Sequence, residues 1–108
     1  MKLDESKYHQ LVDSLQQRIE EQLDEGDFDV DMANGILTID LDKGGKIIVS
    51  RQPALLQLWV AAKSGGYHLV YNETTGTWCV LNSNEFLGDL LARLVLEQSG
   101  EQLNFSGL

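Results

Sequence analysis

The sequence predicts an α+β fold, a two-layer α/β sandwich in which two helices cover one face of an antiparallel sheet of about six strands. Apolar residues recur at helical spacing early in the chain and again near its end. Between these two segments, apolar and polar residues alternate with a period of two. Turn-forming residues divide the alternating region into short segments, which favours strands that follow one another as a meander.

The first helix is predicted over residues 4–25, where apolar side chains are spaced by three and four. They form one face: Leu11, Val12, Leu15, Ile19 and Leu23. Gly26 stands where a left-handed C-terminal cap is common, and the pattern then changes from helical spacing to alternation.

The first hairpin is predicted around Asn34-Gly35, a dipeptide that favours a type I′ turn. The alternation before this turn predicts an inward face of Phe28, Val30 and Met32 and an outer face of Asp27, Asp29 and Asp31. After the turn, the expected inward residues are Leu37, Ile39 and Leu41. The carboxylates of the first strand therefore share one face.

Further strands are expected over residues 47–52, 56–62, 67–71 and 77–81, separated by turns. The predicted turns fall at residues 43–46, at Pro53, at Gly65-Gly66 and near Gly76. The run from Asn82 to Glu85 has the spacing of a capping box and predicts the start of a second helix, which ends near residues 99–100.

Length and charge limit the function. The 108 residues predict a single domain spanning residues 1–108. The formal charge is −9, from 17 acidic and 8 basic residues, so the phosphate backbone of nucleic acid would be repelled. Cations and basic protein surfaces are the expected partners.

The single cysteine and the N-terminal segment predict the compartment. Cys79 has no partner for an internal disulfide and belongs to no CxxC motif. The charged N-terminus does not resemble a signal peptide, and no apolar run reaches the ~20 residues of a membrane span. We expect a soluble cytoplasmic protein that does not bind membranes.

The most informative feature is a run of seven carboxylates within residues 20–31, and no Lys or Arg interrupts it. We call this set the acidic ridge: Glu20, Glu21, Asp24, Glu25, Asp27, Asp29 and Asp31. Oxygen-rich exposed clusters prefer hard cations, and the absence of Cys ligands or spaced His pairs predicts weak, poorly selective binding of ions such as Fe, Mn, Ca or Co. An EF-hand is excluded, because Met32 and Thr38 occupy the positions that require Gly and Glu.

A second candidate surface lies on the fourth strand. If Leu58 and Val60 face the helices, Trp59 and Gln57 face the solvent, where Trp is a frequent contact residue. The alternative is a surface Trp partly shielded by Arg51. Trp78 is expected in the core or at its margin.

Several stretches together resemble the frataxin family, and within it the bacterial, CyaY-type branch. They are IEEQLD (19–24), NGILTI (34–39), KIIVSRQP (46–53), QLWVA (57–61) and GGYH (65–68). One departure is Ser50, where frataxins usually have Asn.

The resemblance implies a regulator or iron chaperone of iron–sulfur cluster assembly that docks on the cysteine desulfurase and its scaffold protein. It implies that the acidic ridge binds Fe²⁺ or Fe³⁺ weakly and meets the desulfurase. Arg51, Gln57 and Trp59 would form the sheet surface that meets the partner complex, and the protein would be a monomer without iron.

Two other function classes remain open from the residues. An acidic ridge and an exposed Trp explain docking without any metal, so a protein interaction module with no metal role is the main alternative. An enzyme such as a ferroxidase is least supported, because no Glu-x-x-His motif occurs. We therefore expect no catalytic activity.

Overall fold

The computed structural model describes residues 3–23, 28–105 and 108. The strands form one antiparallel sheet in the order of the sequence, so consecutive strands are neighbours throughout. The elements are α1 (Glu5–Leu23), β1 (Asp29–Ala33), β2 (Ile36–Asp40), β3 (Lys46–Gln52), β4 (Gln57–Ala62), β5 (Gly65–Asn72), β6 (Thr77–Val80) and α2 (Leu87–Ser99). Both helices lie on the same face of the sheet, which confirms the predicted two-layer α+β fold.

Helix α1 begins after Asp4, whose carboxylate accepts a 2.7 Å hydrogen bond from the backbone N–H of Lys7. This contact satisfies one of the unpaired N–H groups of the first turn. The apolar face predicted from the sequence is buried at Val12, Leu15, Ile19 and Leu23. The predicted end of the helix at Glu25 and the Gly26 cap lie outside the described residues.

The β1–β2 turn has the predicted geometry. Asn34 and Gly35 have φ angles of 55° and 78°, and a type I′ turn requires positive φ at both residues. The turn sets the register, which places Ala33 opposite Ile36 and Asp29 opposite Asp40. The expectation for Met32 was wrong, because its side chain is 41% exposed. Strand β1 is an edge strand, and Met32 lies beside its last residue.

The predicted turn at Gly65-Gly66 differs from the structure. Gly65 and Gly66 belong to β5, since Gly65 pairs with Ala62 and Gly66 with Ala61. The turn is therefore made by residues 63–64. Gly66 has open space where a side chain would lie, so this glycine is not required by the turn.

The predicted capping box does not form. Helix α2 begins at Leu87 with Phe86 as its N-cap residue, and no side chain caps it. The preceding segment is a tight loop in which the Val80 N–H donates a 2.8 Å hydrogen bond to the Glu85 carbonyl. The Glu85 carboxylate instead accepts two hydrogen bonds from Arg93 on α2. Glu85 therefore binds the side of α2 through Arg93 and does not cap the start of that helix.

The core lies between the helices and the sheet. Leu58 and Val60 are buried there, which confirms the predicted orientation of β4. Trp78 is 2% exposed, as predicted, and its ring contacts Tyr8 edge-on at 6.0 Å. Tyr8 also donates a 2.6 Å hydrogen bond to the Gln57 carbonyl, and burial raises the pKa of its hydroxyl. The start of α1 is thereby fixed to β4.

Candidate metal and partner-binding surface

Four members of the acidic ridge are described, and all of them are exposed. Glu20 and Glu21 lie on the last turns of α1, while Asp29 and Asp31 lie on β1. Asp24, Glu25 and Asp27 lie outside the described residues. The chain therefore places acidic side chains on both elements that the sequence predicted.

These carboxylates lie in two different layers. Val30 pairs with the buried Ile39 and faces the helices, so Asp29 and Asp31 point to the open face of the sheet. Glu20 and Glu21 belong to the helical layer, and α1 packs beside β1. The four described members of the acidic ridge consequently lie in both layers of the fold.

One further carboxylate belongs to this surface. Asp40 on β2 lies directly opposite Asp29, and Lys46 on β3 lies opposite Asp40. These three residues line a shallow depression on the open face, together with Asp31 and Thr38. Asp40 was not among the predicted site residues. The signal was available, because a two-residue turn at 34–35 sets the register that pairs residue 29 with residue 40.

The four described ridge carboxylates form no ion pair within the part of the chain that the structure describes. Glu21 accepts a 3.3 Å hydrogen bond from Gln17. Within the same ranges, no three His, Cys, Asp or Glu side chains are grouped closely enough to hold a metal ion. The described carboxylates thus provide a strong negative surface without a closed ligand cage, and a cation bound to them would retain much of its water.

Arg51 does not lie on the open face of the sheet. It continues the inward alternation of Ile47 and Val49 and pairs with the buried Leu58. Its guanidinium donates to Asp13 Oδ1 at 2.8 Å and to Gln16 Oε1 at 2.9 Å. Arg51 is therefore bound to α1 on the helical side, and the expectation that it lies beside Trp59 was wrong.

The same guanidinium contacts His9, with 2.9 Å between Arg51 Nη1 and His9 Nδ1. A guanidinium can only donate, so His9 Nδ1 is the acceptor. His9 Nε2 lies 3.8 Å from a carboxylate oxygen of Glu5. We call Arg51, His9, Asp13 and Gln16 the Arg51 cluster.

Gln16 is the buried member of the Arg51 cluster, at 1% exposure. Its amide nitrogen donates to the Gly35 carbonyl at 2.9 Å and to the Val49 carbonyl at 3.3 Å. One side chain therefore links α1 to the β1–β2 turn and to β3. Gln16 was not among the predicted functional residues, although its spacing from Val12 and Ile19 places it within the apolar face.

Trp59 lies on the open face of the sheet, as predicted, and is half-buried. Its ring stacks on His68 of β5, with 4.4 Å between centroids and 18° between planes. Its Nε1 donates a 3.0 Å hydrogen bond to Gln57 Oε1. The covering group is therefore His68 and not Arg51. The stack and the hydrogen bond hold the indole in one orientation on an accessible surface.

Comparison with known proteins decides the family. The sequence model of the protein family described as the frataxin-like domain matches residues 1–101 of this chain. The chain belongs to the frataxin family. Among curated proteins, this frataxin is similar to the iron–sulfur cluster assembly protein CyaY of Pseudomonas aeruginosa, at 49% identity over 98% of this chain and 100% of the relative. It is also similar to CyaY of Azotobacter vinelandii, at 46% identity over the full length of both.

Solved structures agree with this family assignment. A frataxin from Psychromonas ingrahamii superimposes with a TM-score of 0.86 at 33% identity, over 96% of this frataxin and 99% of the relative. A trimeric frataxin of the yeast Saccharomyces cerevisiae, solved in complex with ferrous iron, superimposes with a TM-score of 0.68. At 23% identity over 94% of this chain and 90% of the other, the yeast protein supports the fold alone. Among the described residues, neither helix has the length and apolar character needed to cross a bilayer.

Proposed function

We propose that this frataxin is an iron-binding regulator or iron chaperone of iron–sulfur cluster assembly and not an enzyme. It binds Fe²⁺ or Fe³⁺ weakly through the acidic ridge and docks on the cysteine desulfurase and scaffold complex in the cytoplasm. Its relatives at 46–49% identity are named iron–sulfur cluster assembly proteins, which supports the pathway.

One observation carries the proposal: exposed carboxylates without ion pairs surround the edge of β1 in both layers. Glu20 and Glu21 are exposed on the last turns of α1, which packs beside β1, and Asp29 and Asp31 lie on the open face of β1, where Asp40 joins them. Like charges this close repel one another, so a bound cation or a basic protein surface relieves the repulsion. The oxygen ligands favour hard ions, and the open geometry favours weak binding.

The open face of the sheet supports the proposed docking on a partner protein. Trp59 is accessible and held by His68 and Gln57, so little side-chain entropy is lost when a partner covers it. Asp31 and Asp40 lie on the same face, nearer the β1 edge. A partner that covers this face would therefore meet an aromatic centre and an acidic margin.

A protein interaction module without a metal role is the second candidate. It is favoured by the finding that no three potential ligands are grouped for a metal among residues 3–23, 28–105 and 108. Under this alternative the ridge carboxylates bind Lys and Arg side chains of the partner. Metal cations then change the protein's binding only through the ionic strength.

An NMR titration of ¹⁵N-labelled protein separates the two candidates. Fe²⁺ is added without oxygen, then Ca²⁺ in a second series, and purified cysteine desulfurase in a third. The iron proposal expects Fe²⁺ and desulfurase to broaden or shift the amides of residues 20–31. If desulfurase affects these amides and Fe²⁺ does not, the metal role is wrong and the interaction module stands.

Two variants of equal charge make this titration specific. D29N/D31N removes two carboxylates of the ridge, whereas D89N/E73Q removes two exposed carboxylates on other parts of the fold, Asp89 on α2 and Glu73 just after β5. The proposal expects weaker iron and desulfurase binding in the first variant and wild-type binding in the second. Equal losses in both would mean that net charge, and not this surface, attracts the ligands.

A further inference from the structure

We propose that Arg51 is a positioning residue, which holds α1 against the sheet and thereby sets where Glu20 and Glu21 stand at the edge of β1. This inference rests on the proposed function for its binding readout. It assigns Arg51 an indirect effect on partner recognition, in place of a direct contact.

The Arg51 side chain is directed to α1. Arg51 is 17% exposed and lies on the face of β3 that carries Val49, opposite to the face of Trp59. Its Nη atoms are directed to Asp13, Gln16 and His9, which span two turns of α1. The guanidinium thus has no Nη donor that faces the open side of the sheet.

The Arg51 guanidinium fits tightly beside Gly35. Its Nε is buried without a partner among the described atoms, and it lies 3.1 Å from the point where a β-carbon on residue 35 would be. Gly35 is needed here twice, for the positive φ of the turn and for the space that Arg51 occupies. A buried unpaired N–H is unfavourable, so the contacts to α1 must outweigh its cost.

The Arg51 cluster and the acidic ridge share helix α1. Gln16 and Glu20 are four residues apart and therefore adjacent on one face of α1. Gln16 is fixed by two backbone carbonyls and by Arg51. Because Glu20 lies one helical turn, about 5.4 Å, beyond Gln16, the contacts at Asp13 and Gln16 fix its position together with the buried Ile19 and Leu23. Loss of Arg51 would let the end of α1 move relative to Asp29 and Asp31.

The first test measures the free protein. Residual dipolar couplings of α1 and sheet amides are compared for the wild type, R51M, R51K and the control K43M, which loses the same charge at an exposed site. We expect R51M to change the orientation of α1 relative to the sheet, R51K to change it less, and K43M to leave it unchanged. Unchanged couplings in R51M would overturn the proposal. If R51M does not fold, R51K against K43M decides in the same way.

The second test measures affinity for purified cysteine desulfurase in a double-mutant cycle. If Arg51 acts through the α1 carboxylates, R51M weakens binding by about fivefold in the wild type but has no further effect in E20Q/E21Q. If R51M causes the same loss in both backgrounds, Arg51 contacts the partner itself and the proposal is wrong. A wild type that fails to bind desulfurase would refute the proposed function, while the dipolar couplings would still decide the positioning role.

Discussion

The polar side of α1 has two halves that use the same kinds of residue differently. In the first half, His9, Asp13 and Gln16 converge on one guanidinium at 2.8–2.9 Å. In the second half, Glu20 and Glu21 form no ion pair with a residue of the described ranges. The sequence shows one continuous polar face, whereas the fold neutralises one end of it and leaves the other end charged.

The sheet causes this difference. Strand β3 presents Arg51 beside the first half of α1, and β1 presents Asp29 and Asp31 near the second half. Contacts within the first half hold the two layers together. Under the proposed function, a ligand bound at the second half would relieve the repulsion between its carboxylates. Ligand binding and stability would then depend on different ends of the same helix.

The largest effect is expected from breaking the buried contact of the first half. Q16L removes the amide that donates to the Gly35 and Val49 carbonyls and accepts from Arg51, and it places an apolar side chain against these polar groups. We expect a loss of about 3 kcal/mol in the free energy of unfolding. Urea denaturation followed by circular dichroism measures it. Q10L, at an exposed position of the same helix, is the control and should change stability by less than about 0.5 kcal/mol.

The next effect comes from filling the space beside Arg51. G35A places a β-carbon 3.1 Å from Arg51 Nε at a residue with φ +78°. We expect a loss of about 2 kcal/mol from the left-handed conformation and the displaced guanidinium. G66A, which meets no atom within 4 Å, serves as the control in the same urea series. Equal stability of the two variants would contradict the tight fit around Arg51.

Trp59 belongs to neither half of α1 and lies on the open face of the sheet. W59A removes the stack on His68 but no core contact, so we expect a stability loss of only about 1 kcal/mol. Desulfurase affinity, measured by isothermal titration calorimetry, should fall by about tenfold. W78A should show the reverse balance, with a stability loss of about 4 kcal/mol, because Trp78 is buried. Retained affinity in W59A would remove this face from the docking surface.

The smallest effects should have opposite signs at two aspartates. D13N removes the ion pair with Arg51 and should cost about 0.5 kcal/mol, since Asp13 is 70% exposed. D29N relieves the repulsion of Asp29 and Asp40 and should stabilise the fold by about 0.5 kcal/mol. Urea curves at low and at 1 M salt test both values, and salt should reduce the difference. Two changes of the same sign would show that the acids of α1 and β1 are not in different electrostatic environments.

Local patterns were sufficient to predict most of the fold. Asn34-Gly35 specifies a hairpin by its backbone preference, and the alternation of Leu58 and Val60 specifies which side of β4 is buried. The errors occurred where the neighbouring layer decides. Met32 has the pattern of a core residue, but it lies on an edge strand. Glu85 has the spacing of a cap, but Arg93 binds it.

Fewer features of the candidate site could be predicted from the sequence. A charge run shows that carboxylates are numerous, and it does not show which of them find a cation across the fold. Arg51 was expected on the open face, although the period of Ile47 and Val49 places it on the other side. The role of Gln16 depends on three groups that are distant in sequence, Gly35, Val49 and Arg51. Such a network is visible only once the layers are assembled.

The position of β1 at the edge of the sheet has a consequence for self-association. An edge strand exposes backbone groups that can pair with a strand of another molecule. Two copies of β1 aligned in this way would bring Asp29 and Asp31 of one molecule close to the same residues of the other. The carboxylates for which we propose a ligand-binding role therefore also oppose growth of the sheet from molecule to molecule, and this protection weakens whenever their charge is screened or neutralised.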